Sequence, residues 1–133
     1  MIVIDASALA KLIFKEEGWE EVAEVLKRGV ISIDYIIKEV ANSILRRLVR
    51  NEVTYEEAKV MYRAMKEILG KALRFEEELP YMDEAFEISL RQKTTIYDSL
   101  YIAVAKKNRF TLLTADHKQA QVASTENVQT ILI

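Results

Sequence analysis

The stretch Ile2-Val3-Ile4-Asp5-Ala6-Ser7-Ala8-Leu9 decides the fold. Three β-branched residues in a row read as a buried strand, because stiff side chains of this kind pack well on a pleated surface. Apolar residues then recur at Ala8, Leu9, Leu12 and Ile13, the spacing of one helical face, with Ser7 placed as the cap. Strand followed directly by helix is the start of the alternation from which parallel sheets are built.

That alternation continues along the chain. Trp19, Val22, Ala23 and Leu26 lie at helical spacing, so a second helix is expected over Glu20 to Lys27 with Gly29 as its stop. Val30 to Ile33 reads as the next strand, followed by Asp34 as the N-cap of a helix over Tyr35 to Arg50. Thr54, with Glu57 in the capping-box position, opens another helix that runs to about Gly70. Leu73, Phe75 and Leu79 alternate loosely and allow a short edge strand within Ala72 to Glu78. Pro80 fits the first turn of a helix reaching Gln92; Ile96 to Lys107 is a strongly apolar helix, Thr111 to Leu113 a strand, Asp116 to Ala123 a short helix and Val128 to Ile133 a last strand. The expected fold class is α/β: a three-layer α/β/α sandwich around a central parallel sheet of four to five strands. With 133 residues, half of them apolar, and no linker or repeat, residues 1–133 form a single domain.

Composition removes several classes of function. The chain has no cysteine, which excludes disulfides, zinc thiolate sites, iron-sulfur clusters and thiol catalysis, and is compatible with a reducing cytoplasm. No apolar run reaches the roughly 18 residues of a membrane span, so no membrane association and a cytoplasmic location are expected. A net charge of -2 argues against a broad electropositive face, so any nucleic acid would be held locally. High charge with three glycines and one proline resembles a heat-adapted composition.

Single carboxylates interrupt the most apolar segments. Asp5 follows the first strand, Asp116 follows Leu112-Leu113-Thr114-Ala115, and Glu39 and Asp98 break apolar helical stretches. An unpaired carboxylate in such a setting is costly, so the set points to something positive among them, most simply a divalent cation such as magnesium or manganese. In an open parallel sheet the carboxyl ends of the strands face one crevice, where Asp5, Asp34 and Asp116 fall. Glu39 shares a helical face with Asn42, Ser43 and Arg46. Simpler roles exist for each: Asp5 and Asp116 as helix caps, Asp98 as a charge at a helix start, Glu39 as a solvated side chain. Four coincidences in one crevice weigh less than one shared site; an N-cap role explains Asp34 fully. His117, the only histidine, is expected at the rim, and Arg46 and Lys11 are placed to reach phosphates. The aromatics Tyr55, Tyr62, Phe75, Tyr81, Phe86, Tyr97 and Tyr101 read as core or interface rather than as a base-stacking platform. Ala58, Met61, Tyr62, Met65 and Leu69 form a stripe that is core or, in part, a partner surface.

Three phosphoryl-transfer patterns are missing. A dehalogenase-type phosphatase requires a second acid where Ser7 stands, a receiver domain requires an early acidic pair and a late strand-end lysine, and a phosphate-binding loop requires glycines that are absent.

The segments Met1-Ile-Val-Ile-Asp-Ala-Ser-Ala-Leu9, Glu39-Val-Ala-Asn42, Tyr97-Asp-Ser-Leu-Tyr-Ile-Ala-Val-Ala105 and Leu112-Leu-Thr-Ala-Asp116 resemble, in order and spacing, the PIN domain nucleases, and among them the VapC-like toxins of toxin-antitoxin pairs. The resemblance implies an α/β/α sandwich and hydrolysis of RNA dependent on magnesium or manganese. Carried over position by position, it places Asp5, Glu39, Asp98 and Asp116 in the acidic set, Ser7 and Thr114 at the flanking hydroxyl positions, and Asn42 at the polar position beside the helical glutamate. It also implies a homodimer and a VapB-like antitoxin. Maturation of RNA by a PIN endonuclease, or a module that binds RNA without cutting, are the alternatives.

Overall fold

The computed structural model describes every residue from Met1 to Ile133. The elements follow in the order β1 (Ile2–Ile4), α1 (Ala6–Ile13), α2 (Trp19–Lys27), β2 (Val30–Ile33), α3 (Ile36–Val49), α4 (Tyr55–Ala72), β3 (Leu73–Glu76), a 3-10 turn (Leu79–Tyr81), α5 (Met82–Gln92), α6 (Ile96–Asn108), β4 (Thr111–Thr114), α7 (His117–Thr125) and β5 (Thr130–Leu132). All five strands join one parallel sheet in the order β3-β2-β1-β4-β5, with Val3 opposite Ile31 on one side and Leu112 on the other. A parallel sheet is covered on both faces, so its central strands are apolar without alternation. Every residue of β2 is buried, as are Val3, Ile4, Leu112, Leu113 and Thr114. Ser32, the polar member of β2, donates its Oγ hydrogen to the Ile4 carbonyl at 2.7 Å, so its burial leaves no polar group unsatisfied.

The chain leaves β1 through α1 and α2 to β2, continues through α3 and α4 to β3, and then returns through α5 and α6 to β4 on the far side of β1. Right-handed crossovers in opposite directions place their helices on opposite faces, which gives the three layers. The reversal falls between β1 and β4, where adjacent chain segments diverge and leave a crevice at the carboxyl ends of the strands. Helix α6 lies across β1, β2 and β4 beneath α5, and is buried on all sides from Ser99 to Ala105. Its first turn alone projects to the crevice edge, and that turn carries Asp98.

Several local assignments are corrected. Asp5, not Ser7, caps α1: Oδ1 of Asp5 accepts the Ala8 N–H at 3.0 Å, while the Ser7 hydroxyl turns to Asp5 and Thr114. Asp34 makes no side-chain cap. Tyr35 stands at the N-cap of α3 with helical backbone, and the Asp34 carbonyl accepts the Ile37 N–H at 3.3 Å. Thr95 caps α6 by accepting the Asp98 N–H at 3.2 Å, so Asp98 sits inside the first turn. The edge strand is real because Leu73 to Glu76 pairs residue by residue with β2. The last strand is shorter than its apolar pattern, and Pro80 lies in the 3-10 turn before α5. Gly29 ends α2 as expected, at φ +81° with its N–H on the Leu26 carbonyl. The α4 stripe is chiefly core: Ala58, Met65 and Leu69 are buried, Met61 is half-buried and Tyr62 is exposed.

Candidate active site

The crevice is built in two halves. The first rests on the strands. Oδ1 of buried Asp5 accepts from the Ser7 hydroxyl at 2.6 Å and from the Ala8 N–H at 3.0 Å. The same Ser7 Oγ lies 3.1 Å from Thr114 Oγ1 and accepts the Ala115 N–H at 2.9 Å, and Thr114 Oγ1 accepts the Asp116 N–H at 3.1 Å. One serine thus ties the end of β1 to the end of β4 and fixes where Asp5 and Asp116 emerge. Asp116 is exposed and caps α7 by accepting the Gln119 N–H at 3.0 Å; the Gln119 side chain donates to the Asp98 carbonyl at 2.9 Å, linking this half to α6.

The second half rests on helices. Glu39, in the first turns of α3, accepts the Tyr101 hydroxyl at 2.8 Å, and Tyr101 is among the largest fully buried side chains of the core. Glu39 and Asp98 line one cavity of about 620 Å³, together with Asn42, Arg46, Tyr35, Tyr97, Thr95 and Lys38. A more apolar cavity of about 410 Å³, lined by Ile44, Leu45, Leu48, Tyr55 and Tyr62 among others, lies between α3 and α4 and contains none of the four carboxylates.

Electrostatically the halves form one field. Burial, with a smaller contribution from the charge of Asp98, raises the Asp5 carboxyl to about 6 against the hydrogen bonds that lower it. Burial likewise raises Glu39, which also feels Asp98 and Asp5, and raises Asp98, which feels Asp116. Arg46 beside Glu39 and Lys118 beside Asp98 oppose these effects without outweighing them. Carboxylate oxygens, with the Asn42 amide oxygen beside them, are hard donors that suit a hard cation such as magnesium or manganese rather than a soft one. No three acidic or histidine side chains are gathered into a metal-holding group in this conformation. Asp5 and Asp116 are held to separate backbone donors, and Glu39 to Tyr101.

Of the four acidic positions singled out in the sequence, Glu39 and Asp98 line the cavity with Asn42, while Asp5 and Asp116 lie outside its lining, in the strand half with Ser7 and Thr114. His117 is exposed next to Asp116, and Lys11 donates to the Glu17 carbonyl at 3.0 Å. Sequence reasoning missed Tyr101, Gln119, Thr95 and the pair Tyr35 and Tyr97. Only Thr95, three positions before a carboxylate at a helix start, carried a local signal.

A five-stranded parallel sheet of this order between two helical layers is a three-layer α/β/α sandwich. The chain belongs to the PIN domain family, whose model matches residues 2–124. It is 31% identical over 122 residues to Ribonuclease VapC3 of Pyrobaculum aerophilum, a match covering 90% of this chain and 92% of that protein. The crystal structure of PAE2754 from the same organism superposes with a TM-score of 0.75 at 22% identity over 97% of this chain and 89% of that one. Mycobacterium tuberculosis VapC20, described as a Sarcin-Ricin loop cleaving toxin, has a TM-score of 0.67 at 18% identity, covering 91% of this chain and 94% of that one.

Proposed function

We propose that the chain is a magnesium- or manganese-dependent endoribonuclease of the VapC type, hydrolysing RNA phosphodiester bonds at Asp5, Glu39, Asp98 and Asp116 as the toxin of a VapBC-type pair. The observation that carries it is the nearness of the four carboxylates, close enough that Asp98 raises Asp5 and Glu39 and Asp116 raises Asp98, against the opposing charges of Arg46 and Lys118. Membership of the PIN family and the likeness to a VapC ribonuclease support the choice of RNA.

Asp5, Asp98, Asp116 and Glu39 would hold the cation; when bound it supplies Lewis acidity toward water and phosphate oxygens. Ser7 and Thr114 hold Asp5 and Asp116 in place and orient a phosphate or water by hydrogen bonding. Arg46, on the cavity wall with Glu39, neutralises an approaching phosphate, and Asn42 offers it an uncharged donor. The phosphate is attacked by water, and the 3'-oxygen leaves; no side chain of the protein forms a covalent bond to RNA.

The test is cleavage of a mixed-sequence single-stranded RNA with magnesium or manganese, with chelator, and with Asp5→Asn and Asp98→Asn proteins shown to be folded. Cutting that needs the cation and is lost in both variants supports the reading. Cutting that persists in the variants marks a contaminant, and a folded wild type that binds RNA without cutting favours the binding module. A VapB-like antitoxin and a second copy of the chain are the partners that accompany this proposal, checked by solution mass with and without the product of an adjacent reading frame.

A further inference from the structure

The Tyr35 and Tyr97 rings are stacked, with centroids 4.8 Å apart and planes inclined by 21°. They come from different layers of the fold: Tyr35 opens α3 just after β2, and Tyr97 lies in the first turn of α6, next to Asp98. Both line the cavity that holds Glu39, Asp98, Asn42 and Arg46. Tyr35 covers one face of the Tyr97 ring, yet Tyr97 remains 50% exposed, so the pair is not closed into the core.

We infer that Tyr97, backed by Tyr35, is a nucleobase subsite: it stacks one unpaired base of a single-stranded RNA while the adjoining phosphate lies toward Arg46 and the carboxylates. This rests on the nuclease reading above and adds the part that grips the substrate. The net charge of the chain is -2 and the cavity sets Lys38 and Arg46 against Glu39 and Asp98, so charge alone holds a polyanion only weakly there, and an uncharged contact adds to what those two cations supply. An aromatic face provides it, since every base has a π-face and stacking tolerates any sequence. Packing on Tyr35 fixes the Tyr97 ring before the base arrives, which reduces the ordering cost of binding. The first turn of α6 sets Tyr97 directly beside Asp98, so a base on the ring keeps its phosphate close to the acidic group. A duplex hides its base faces, so the subsite selects unpaired segments.

The experiment compares kcat/KM for cutting a short single-stranded RNA with that for a series in which each position in turn is abasic, using wild type, Tyr97→Phe and Tyr97→Ala. Circular dichroism confirms folding, and Tyr97→Leu takes the place of the alanine variant if that one is unfolded. A base on the ring predicts that Tyr97→Ala loses about 5- to 100-fold on intact RNA. Tyr97→Phe should stay within about threefold of wild type, because the ring and not the hydroxyl makes the contact. At one abasic position the deficit of Tyr97→Ala should vanish, since base and ring then lack each other in both proteins. Tyr97→Ala activity equal to wild type, or a deficit that is the same at every abasic position, overturns the subsite alone. A folded wild type that cuts no RNA overturns the subsite together with the nuclease reading.

Discussion

Asp5→Asn should make the cation-free protein more stable while abolishing its activity. The Asp5 carboxyl is raised from 3.8 to about 6, burial being the largest cause, so at neutral pH the folded state holds an anion it would rather keep protonated. Between about pH 4 and pH 6 the folded state binds more protons than the unfolded one, so stability falls as pH rises through that window and levels off above it. The difference of about 2 units corresponds to about 3 kcal/mol at pH 8 and about 0.5 kcal/mol at pH 4. Asparagine removes the charge and keeps the geometry, because the Ser7 hydroxyl and the Ala8 N–H both donate to one oxygen, Oδ1, which the amide retains. For a domain of this size about 3 kcal/mol is a rise in Tm on the order of 10 °C. The assay is thermal unfolding of both proteins in chelator from pH 4 to pH 8. The variant's advantage should grow with pH and then shrink when magnesium or manganese is added, since the cation stabilises only the form that binds it. An advantage independent of pH, or a variant that melts below wild type at pH 8, would refute the buried-anion argument.

Tyr101→Phe removes the donor that holds Glu39 at 2.8 Å, and should weaken manganese binding, followed by calorimetry, by about 10-fold or more while the fold persists. Ser7→Ala takes a donor from Asp5 and the acceptor from the Ala115 N–H at once, and is expected to cost about 1–3 kcal/mol in chemical denaturation, with the fall of stability on raising pH continuing beyond the wild-type window because that donor lowers Asp5. At the opposite end of the sheet, Arg91, Lys106 and Gln92 converge on the almost fully buried Glu126 and hold its carboxyl down at about 2, hydrogen bonding from Arg91 being the largest cause. Its folded value lies below its unfolded one, so this stabilisation is present above about pH 4.5 and is lost as pH falls toward 2. Because Arg91 and Lys106 reach into solvent, Glu126→Gln should cost roughly 2 kcal/mol at pH 7 in denaturant titration and nearly nothing at pH 2.

What the sequence made legible is what the backbone pattern writes locally. Ile2-Val3-Ile4 and Val30 to Ile33 are strands because short runs rich in β-branched residues suit a sheet covered on both sides, and Asp5 and Asp116 stand out because each follows a buried strand. The helix caps were harder. Asp5 and Ser7 are both good capping residues, and the choice is made by Thr114 and Ala115, more than a hundred positions away, which claim the Ser7 hydroxyl. Tyr101 looked like core and is core; what sequence cannot convey is that its hydroxyl crosses between layers to Glu39, 62 positions earlier in the chain. The stack of Tyr35 on Tyr97 has the same origin, since neither residue lies in the other's element and helix spacing says nothing about pairing across layers. Asp34 misled because a residue type favoured at caps sat in the right place, while α3 begins from a turn whose backbone carbonyl makes the bond instead.

The two halves of the crevice differ in how firmly they are held, and that difference bears on how the site works. Asp5 and Asp116 leave strands in the middle of the sheet, and a single serine bonds both strand ends, so their positions are tied to the most buried part of the molecule. Glu39 and Asp98 sit on the first turns of two helices from opposite faces, joined by one tyrosine hydroxyl, while Gln119 of α7 ties the Asp98 backbone to the strand half. A small shift of α3 against α6 therefore moves Glu39 and Asp98 without disturbing Asp5, and the stacked tyrosines lie across that same seam. The strand half is thus also the half that carries the cost of a buried charge, since burial is the main cause that raises Asp5. The energetic scale agrees: keeping Asp5 ionised costs about as much as burying one large aliphatic side chain returns. The strands that bear it, with Ile4, Leu112 and Leu113 fully buried, are where the fold has most stability to set against that cost.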